Sequence, residues 1–423
     1  MLKNNMGDIF SPMKTKNFLR QQFKKLLSSY NKDYFTEKGW QAIFLEMLKP
    51  LLYNRKRSKL LAKVQYLAYK IFSDMRSDGE NLVRKAGKYL FEDEFRRWIS
   101  KHPSNRALNQ LIIRVDDTKS GRKYGFKIPE LQYLYDYVNK CSYSTHKVFV
   151  LMVSIGSYDF IVDFKFKKSE VNGSKIAFEM ISEFINHLSK DLREIFEKEV
   201  KIALDGAYGN LVSLEDFLNY KKNNVEFGKL AFVVKSGGKQ KVKLPNGLVL
   251  SLKEVERFII ENHLFKSFSL CHCFGESVSY AEQIATIIDK PYKLKLVLCR
   301  FPSRTKDFRY LLLLTNRLDW HAFRVLRTYK GRWPIETMFR TIKQKLEFEK
   351  YSFHTKFTSK NIGMHFGICF VMYMFINQFR IKHTRPKKTS LARVIETFQL
   401  ELDKLSDKAL LEIFLGKIDE KYG

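Results

Sequence analysis

The stretch IGMHFGICFVMYMFINQF, residues 362–379, carries no Asp, Glu, Lys or Arg. It is about the minimum length that crosses a bilayer as a helix, and a helix apolar on every side must otherwise be enclosed by protein. His365, two glycines and the Asn377–Gln378 pair interrupt it, and a single late span fits poorly with a chain of net charge +31. The expectation is therefore a helix buried all round, with no membrane partner. Such a helix needs a large surrounding structure. At 423 residues and 45% hydrophobic side chains, the chain can supply it, in two or three domains.

The 76 Lys and Arg outnumber the 45 Asp and Glu, and the basic residues are spread along the whole chain. A pI near 9.7 points to a polyanionic partner. A ribosomal or membrane-surface protein is the plainer alternative. The length and an aromatic content of 14% favour a folded nucleic-acid enzyme over a basic tail. Five cysteines without a Cys-x-x-Cys pair suggest a reducing compartment, with neither a disulfide framework nor a structural zinc site. Cys271-His272-Cys273 lacks a second ligand pair and reads as structural. The N-terminal segment has no continuous apolar core and does not read as a secretory signal.

Residues 1–105 read as helices with apolar residues at three- and four-residue spacing, forming an N-terminal helical domain. Arg55, Lys56 and Arg57, with Lys59, are a solvated helix face or a DNA contact. ALNQLIIRVDDTKSG, 107–121, reads as a buried strand ending in Asp116–Asp117. KVFVLMVSIGSYDFIVDFKFKK, 147–168, is a hairpin about Gly156–Ser157. SKIAFEMISEFINHLSKDL reads as one amphipathic helix. EVKIALDGAYGN, 199–210, is a strand stopping at Asp205, followed by a helix and the strand KLAFVVK. Residues 236–305 turn β-rich, with a Pro-Asn-Gly hairpin, and KLKLVLCRF and DFRYLLLLTNR read as strands. LDWHAFRVLRTYK is a helix ending at Gly331, and Pro334 fits the first turn of the next helix. RIKHTRPKK marks a boundary before the last helices. The chain is thus α/β, with a first core segment at 106–235, an insertion at 236–305, a second core segment at 306–382 and a helical tail at 383–423.

Carboxylates from separate elements can share divalent ions. Mg2+ takes carboxylate, phosphate and water oxygens, and two such ions, about 3.5–4 Å apart, serve phosphodiester chemistry. Asp116, Asp205 and Glu336 form such a candidate set, although each alone also fits a turn residue or a cap. Glu336 stands alone among Lys330, Arg332, Arg340, Lys343 and Lys345. Tyr329, Arg332, Glu336 and Lys343 follow spacings of 3, 4 and 7, which put Glu336 and Lys343 on one helix face. Arg332 at a helix start suits a phosphate. The plainer reading is an ordinary basic helix with Tyr329 in the core. His321 and His354 read as structural.

These residues carry a resemblance. YKGRWPIE with Lys343 resembles the Tyr-x2-Arg-x3-Glu-x6-Lys motif of the YREK transposases, insertion-sequence family four of bacteria. LDGAYG resembles that family's Asp-x-Ala-Tyr block on Asp205, Ala207 and Tyr208. VDDT resembles its Asp-x-Thr block on Asp116 and Thr118, with Asp117 open as the alternative first acid. The interval between Asp205 and Glu336 resembles the family's β-rich insertion, and the resemblance spans roughly residues 106–380.

The resemblance implies a ribonuclease-H-like mixed-sheet catalytic core interrupted by that insertion. It implies two Mg2+ ions, replaceable by Mn2+, on Asp116, Asp205 and Glu336. Tyr329, Arg332 and Lys343 would hold DNA phosphates, and the N-terminal helices would read terminal inverted repeats. The enzyme would cut and rejoin element ends into target DNA as a homodimer, in some relatives through hairpin ends. A bacterial cytoplasmic, nucleoid-associated setting is implied too. The insertion has no Trp, so a flipped base could meet only Phe or Tyr there, with Trp320 just beyond it. Trp333 is expected to pack the catalytic helix. The competing readings are a ribonuclease-H-like nuclease or resolvase and a catalytically inactive DNA-binding descendant.

Overall fold

The computed structural model describes residue 43 and residues 78–403, apart from 102–110, 122–127, 129, 137–139, 168–171, 223–224, 237–240, 263–268, 274–275, 303–307, 347, 350–358 and 384–388. Arg55, Lys56, Arg57 and His354 lie outside the described residues, as does most of the expected N-terminal domain. The first described helix is α1 (Gly79–Lys101). It is followed by β1 (Leu111–Gly121), β2 (Gln132–Asp136), β3 (Cys141–Ile155), β4 (Tyr158–Phe166), α2 (Gly173–His187), α3 (Lys190–Glu199) and β5 (Lys201–Leu204). Then come α4 (Leu211–Asn219), the ribbon β6 (Lys221–Lys222) and β7 (Val225–Glu226), β8 (Ala231–Lys235), β9 (Lys241–Lys243), β10 (Val249–Ser251) and α5 (Leu252–Glu261). The chain continues through β11 (Ser269–Cys273), β12 (Glu276–Ile287), β13 (Lys293–Phe301), β14 (Arg309–Thr315), α6 (Ala322–Lys330), α7 (Trp333–Lys345), α8 (Ser359–His383) and α9 (Leu391–Asp403).

The fold is α/β, built on one large mixed sheet in the order β10-β9-β12-β13-β14-β8-β5-β1-β3-β2, with β4 also on β3 and β11 on β12. The pairs β1–β5 and β5–β8 are parallel, while β1–β3, β3–β4 and β8–β14 are antiparallel. The segment 236–305 extends this same sheet, because β12 and β13 join β8 through β14. The apolar runs in these strands reflect burial on both faces. Val233, Val297, Cys299 and Leu313 lie under Val325 and Leu326 of α6. Their neighbours Val234, Leu296, Leu298 and Leu314 enter the main core on the other side, with Val255 and Ile259 of α5.

The burial expected of residues 362–379 is found in helix α8. Every residue from Asn361 to Phe379 is buried, against α1, β4 and α9 among others. Two of its polar side chains have partners within the fold: His365 Nε2 lies 3.3 Å from the Phe348 carbonyl, and Asn377 Oδ1 accepts from Arg380, while the Asn377 amide nitrogen is buried without one. Helices α1 and α8 cross at backbone contact. A Cβ on Gly79 would fall 1.8 Å from the Gly363 carbonyl oxygen, and one on Gly367 2.7 Å from that of Gly79. Only glycine permits that approach.

Two expected boundaries differ. The helix expected over SKIAFEMISEFINHLSKDL is two, because Leu188 and Ser189 turn extended between α2 and α3. Strand β1 does not end at Asp116–Asp117 but runs to Gly121, since β3 pairs with it as far as Thr145. What ends near those acids is the parallel partner: Val115 lies opposite Leu204, the last residue of β5.

Candidate active site

That register positions the first two acids. One residue past the Val115–Leu204 pair, Asp116 on β1 and Asp205 after β5 stand side by side at the carboxyl end of the parallel strands. Ligands gather outside such strand ends. Successive residues of a strand point to opposite faces, and the neighbouring acid accordingly makes a different contact: Asp117 is paired with Lys147 at 3.2 Å.

The third acid comes from α7. Gly331 caps α6, its N–H bonding to the Arg327 carbonyl at 3.1 Å, and α7 starts two residues later with Pro334 in its first turn. The junction lies directly on β1. A Cβ on Gly331 would reach 2.3 Å from Ile112 Cδ1. The Gly331 carbonyl accepts from the buried Arg114 guanidinium, which also donates to Ser154 and lies 3.7 Å from Asp159. At the other end of the helix, Lys343 donates to the Lys119 carbonyl at 2.5 Å and pairs with Glu349 at 3.1 Å. From Gly331 to Lys343 on a helix, and from Arg114 to Lys119 on a strand, the rise is roughly 17 Å in each case. Helix α7 therefore runs along β1 in matched length, which holds Glu336 beside Asp116.

The three acids meet on one cation. Arg332 lies 3.2 Å from Asp116 and 3.7 Å from Asp205, and it donates directly to Glu336. Its Nε is buried without a partner. The Tyr329 ring stacks 5.6 Å from the same guanidinium. Burial, then the neighbouring Asp205, pushes the Asp116 carboxyl up to about 7, and Arg332 only partly offsets this. Burial, with Asp205 and Glu336, also raises the Tyr329 phenol. Three carboxylates against one guanidinium leave a local excess of negative charge in a strongly basic protein.

No set of three or more His, Cys, Asp or Glu side chains is already gathered as a metal-binding group among the described residues; here the acids meet on Arg332 instead. The donor set nevertheless fits a hard divalent ion, being all carboxylate oxygens converging on the place of one cationic group. Asp116, Asp205, Glu336, Tyr329 and Arg332 are thus brought together. Lys343 is on the same helix but faces the far part of β1, and Asp117 is engaged elsewhere.

A cleft of about 1500 Å3 adjoins this cluster on the side of Tyr329 and Arg332. Arg309, Arg324, Arg327, Lys330 and Trp333 line it, and among the described residues no Asp or Glu does. Arg332 belongs both to the acid cluster and to the cleft wall. Trp333 corrects an expectation: it does not pack the helix but is 58% exposed, since the start of α7 turns it toward the cleft. Trp320 is buried under α6, with Arg324 over its ring at 4.3 Å. His321 is structural as expected, its ring capping α6 and meeting the Tyr280 hydroxyl at 2.8 Å.

Sequence reading missed Arg114 and the cleft arginines. The signals were a lone Arg inside the apolar run LIIRV, and bases three apart in FRVLRTYK. Comparison of the chain with models of known families and with curated proteins gave no match.

Proposed function

We propose that the protein is a DNA transposase of the YREK type, cutting and rejoining the ends of an insertion sequence. The observation that carries this is the meeting of Asp116, Asp205 and Glu336, from three separate elements, on Arg332. The strand order β4-β3-β1-β5-β8, with β3 antiparallel and β5 and β8 parallel to β1, supports a ribonuclease-H-like core. The basic cleft, with no Asp or Glu among its described lining residues, supports a polyanionic substrate.

Asp116, Asp205 and Glu336 would hold Mg2+ or Mn2+, which supplies Lewis acidity to phosphodiester attack and stabilises the leaving oxygen. Arg332 and Tyr329 stand between the acids and the cleft. A DNA phosphate entering there meets the guanidinium fork beside the acids, which orients the strand for in-line attack. Lys343, farther along α7, would contact the strand beyond that phosphate. The terminal repeats, target DNA and a homodimer of paired ends follow from the same reading.

The test is cleavage of a labelled duplex carrying the element's own ends, with Mg2+ or EDTA, beside Glu336→Gln. Metal-dependent cutting at the element boundary that Glu336→Gln abolishes, with DNA affinity retained, is the expected result. Cutting indifferent to the ends would replace this reading with a nuclease or resolvase. Tight binding without cutting would replace it with an inactive DNA-binding descendant.

A further inference from the structure

Tyr208 lies in the short turn Gly206–Tyr208 that follows Asp205, its N–H bonded to the Asp205 carbonyl at 3.0 Å. The side chain is 4% exposed, and its hydroxyl has no hydrogen-bond partner. Buried hydroxyls almost always have one. The surroundings are acidic: burial, then the nearby Asp117, Asp116 and Asp205, raise the phenol. Those carboxylates are turned to other partners, Asp117 to Lys147 and the other two to Arg332. A donor so placed, buried in the turn that follows Asp205 and without a protein partner, is free to bind a water between it and the acids. Magnesium and manganese ions on carboxylates keep several waters, and groups that hydrogen-bond to the ligands govern affinity.

We propose that Tyr208 is a positioning residue for the divalent-ion site: its hydroxyl donates to a water of the hydrated ion held by Asp116 and Asp205. This rests on the metal-dependent reading above. The turn after β5 would then have two tasks, Asp205 giving a ligand and Tyr208 holding the ion's water shell from the buried side. Tyr208→Phe removes one oxygen and keeps the ring.

The experiment is Mn2+ titration of the full chain, followed by electron paramagnetic resonance, for wild type, Tyr208→Phe and Asp116→Asn, beside metal-free melting curves. Tyr208→Phe should bind Mn2+ about ten- to hundredfold more weakly, with its melting temperature unchanged. Its cutting should need more Mn2+ yet approach the wild-type rate at saturation, whereas a merely structural defect would lower that rate at every metal concentration. Wild-type Mn2+ affinity in Tyr208→Phe, with binding lost in Asp116→Asn, would overturn this proposal and leave the metal site standing. Unchanged binding in Asp116→Asn would remove the metal site itself. A uniformly lowered cutting rate with a lowered melting point would assign Tyr208 to packing alone and overturn the proposal.

Discussion

Replacing Asp116 by Asn should stabilise the metal-free protein in alkali and leave it nearly unchanged in acid. The carboxyl, pushed up to about 7 by burial and by Asp205, starts from an ordinary value of 3.8. The folded state therefore takes up this proton before the unfolded state does. Between about pH 4 and pH 7 the wild type loses stability as pH rises, and above pH 7 it carries the full cost of a buried charge. The gap, 7 − 3.8 = 3.2, is worth at most about 4 kcal/mol at 1.36 kcal/mol per pKa unit. Asp116 is only 16% exposed, so little of this is lost to solvent screening. Asn is neutral throughout and close in shape to the protonated acid. Urea unfolding in EDTA should show the variant within about 1 kcal/mol of wild type at pH 4 and about 2–4 kcal/mol more stable at pH 8.5. Excess Mg2+ should narrow or reverse the difference at pH 8.5, because the ion binds the folded wild type. An offset of equal size at both pH values would refute the argument, since it would show that Asp116 ionises no differently in the folded and unfolded states.

Two substitutions test the surroundings. Arg114→Met leaves the largely enclosed Asp159 without the guanidinium beside it and releases the Gly331 carbonyl, so denaturant unfolding should show a loss of about 3–5 kcal/mol; a loss below about 1 kcal/mol would mean the junction between α6 and α7 is held by other contacts. Trp333→Ala should change stability by no more than about 0.5 kcal/mol, because the ring is exposed. A loss above about 3 kcal/mol would restore the packing role that the structure denies it.

Local pattern carried much of the fold. The hairpin at Gly156–Ser157, the strands β5, β8, β13 and β14, and the break between α6 and α7 at Gly331–Pro334 were all readable, because periodicity and turn chemistry act over a few residues. The buried stretch Asn361–Phe379 of α8 was readable too, since no charge interrupts it and water would not tolerate it. Element ends were less so. β1 overruns its acids because a partner 24 residues or more downstream keeps pairing with it, and no local signal reports that.

For the site, spacing alone put Glu336 and Lys343 on one helix and marked Asp116 and Asp205 beside strand ends. Sequence favoured Asp116 as the first acid and kept Asp117 as its alternative. The pleat of β1 separated them, turning one to Arg332 and the other to Lys147. Sequence likewise read Arg332 as a phosphate-binding group and Trp333 as packing. The tertiary structure set Arg332 among three acids, exposed Trp333 beside a basic cleft, and anchored the whole junction through Arg114. The difference is physical. Residue type and spacing determine what a segment can become and which chemistry it can offer. Which distant charges share a dielectric, and which side chains lose their water, depends on strand register and helix packing across the whole sheet.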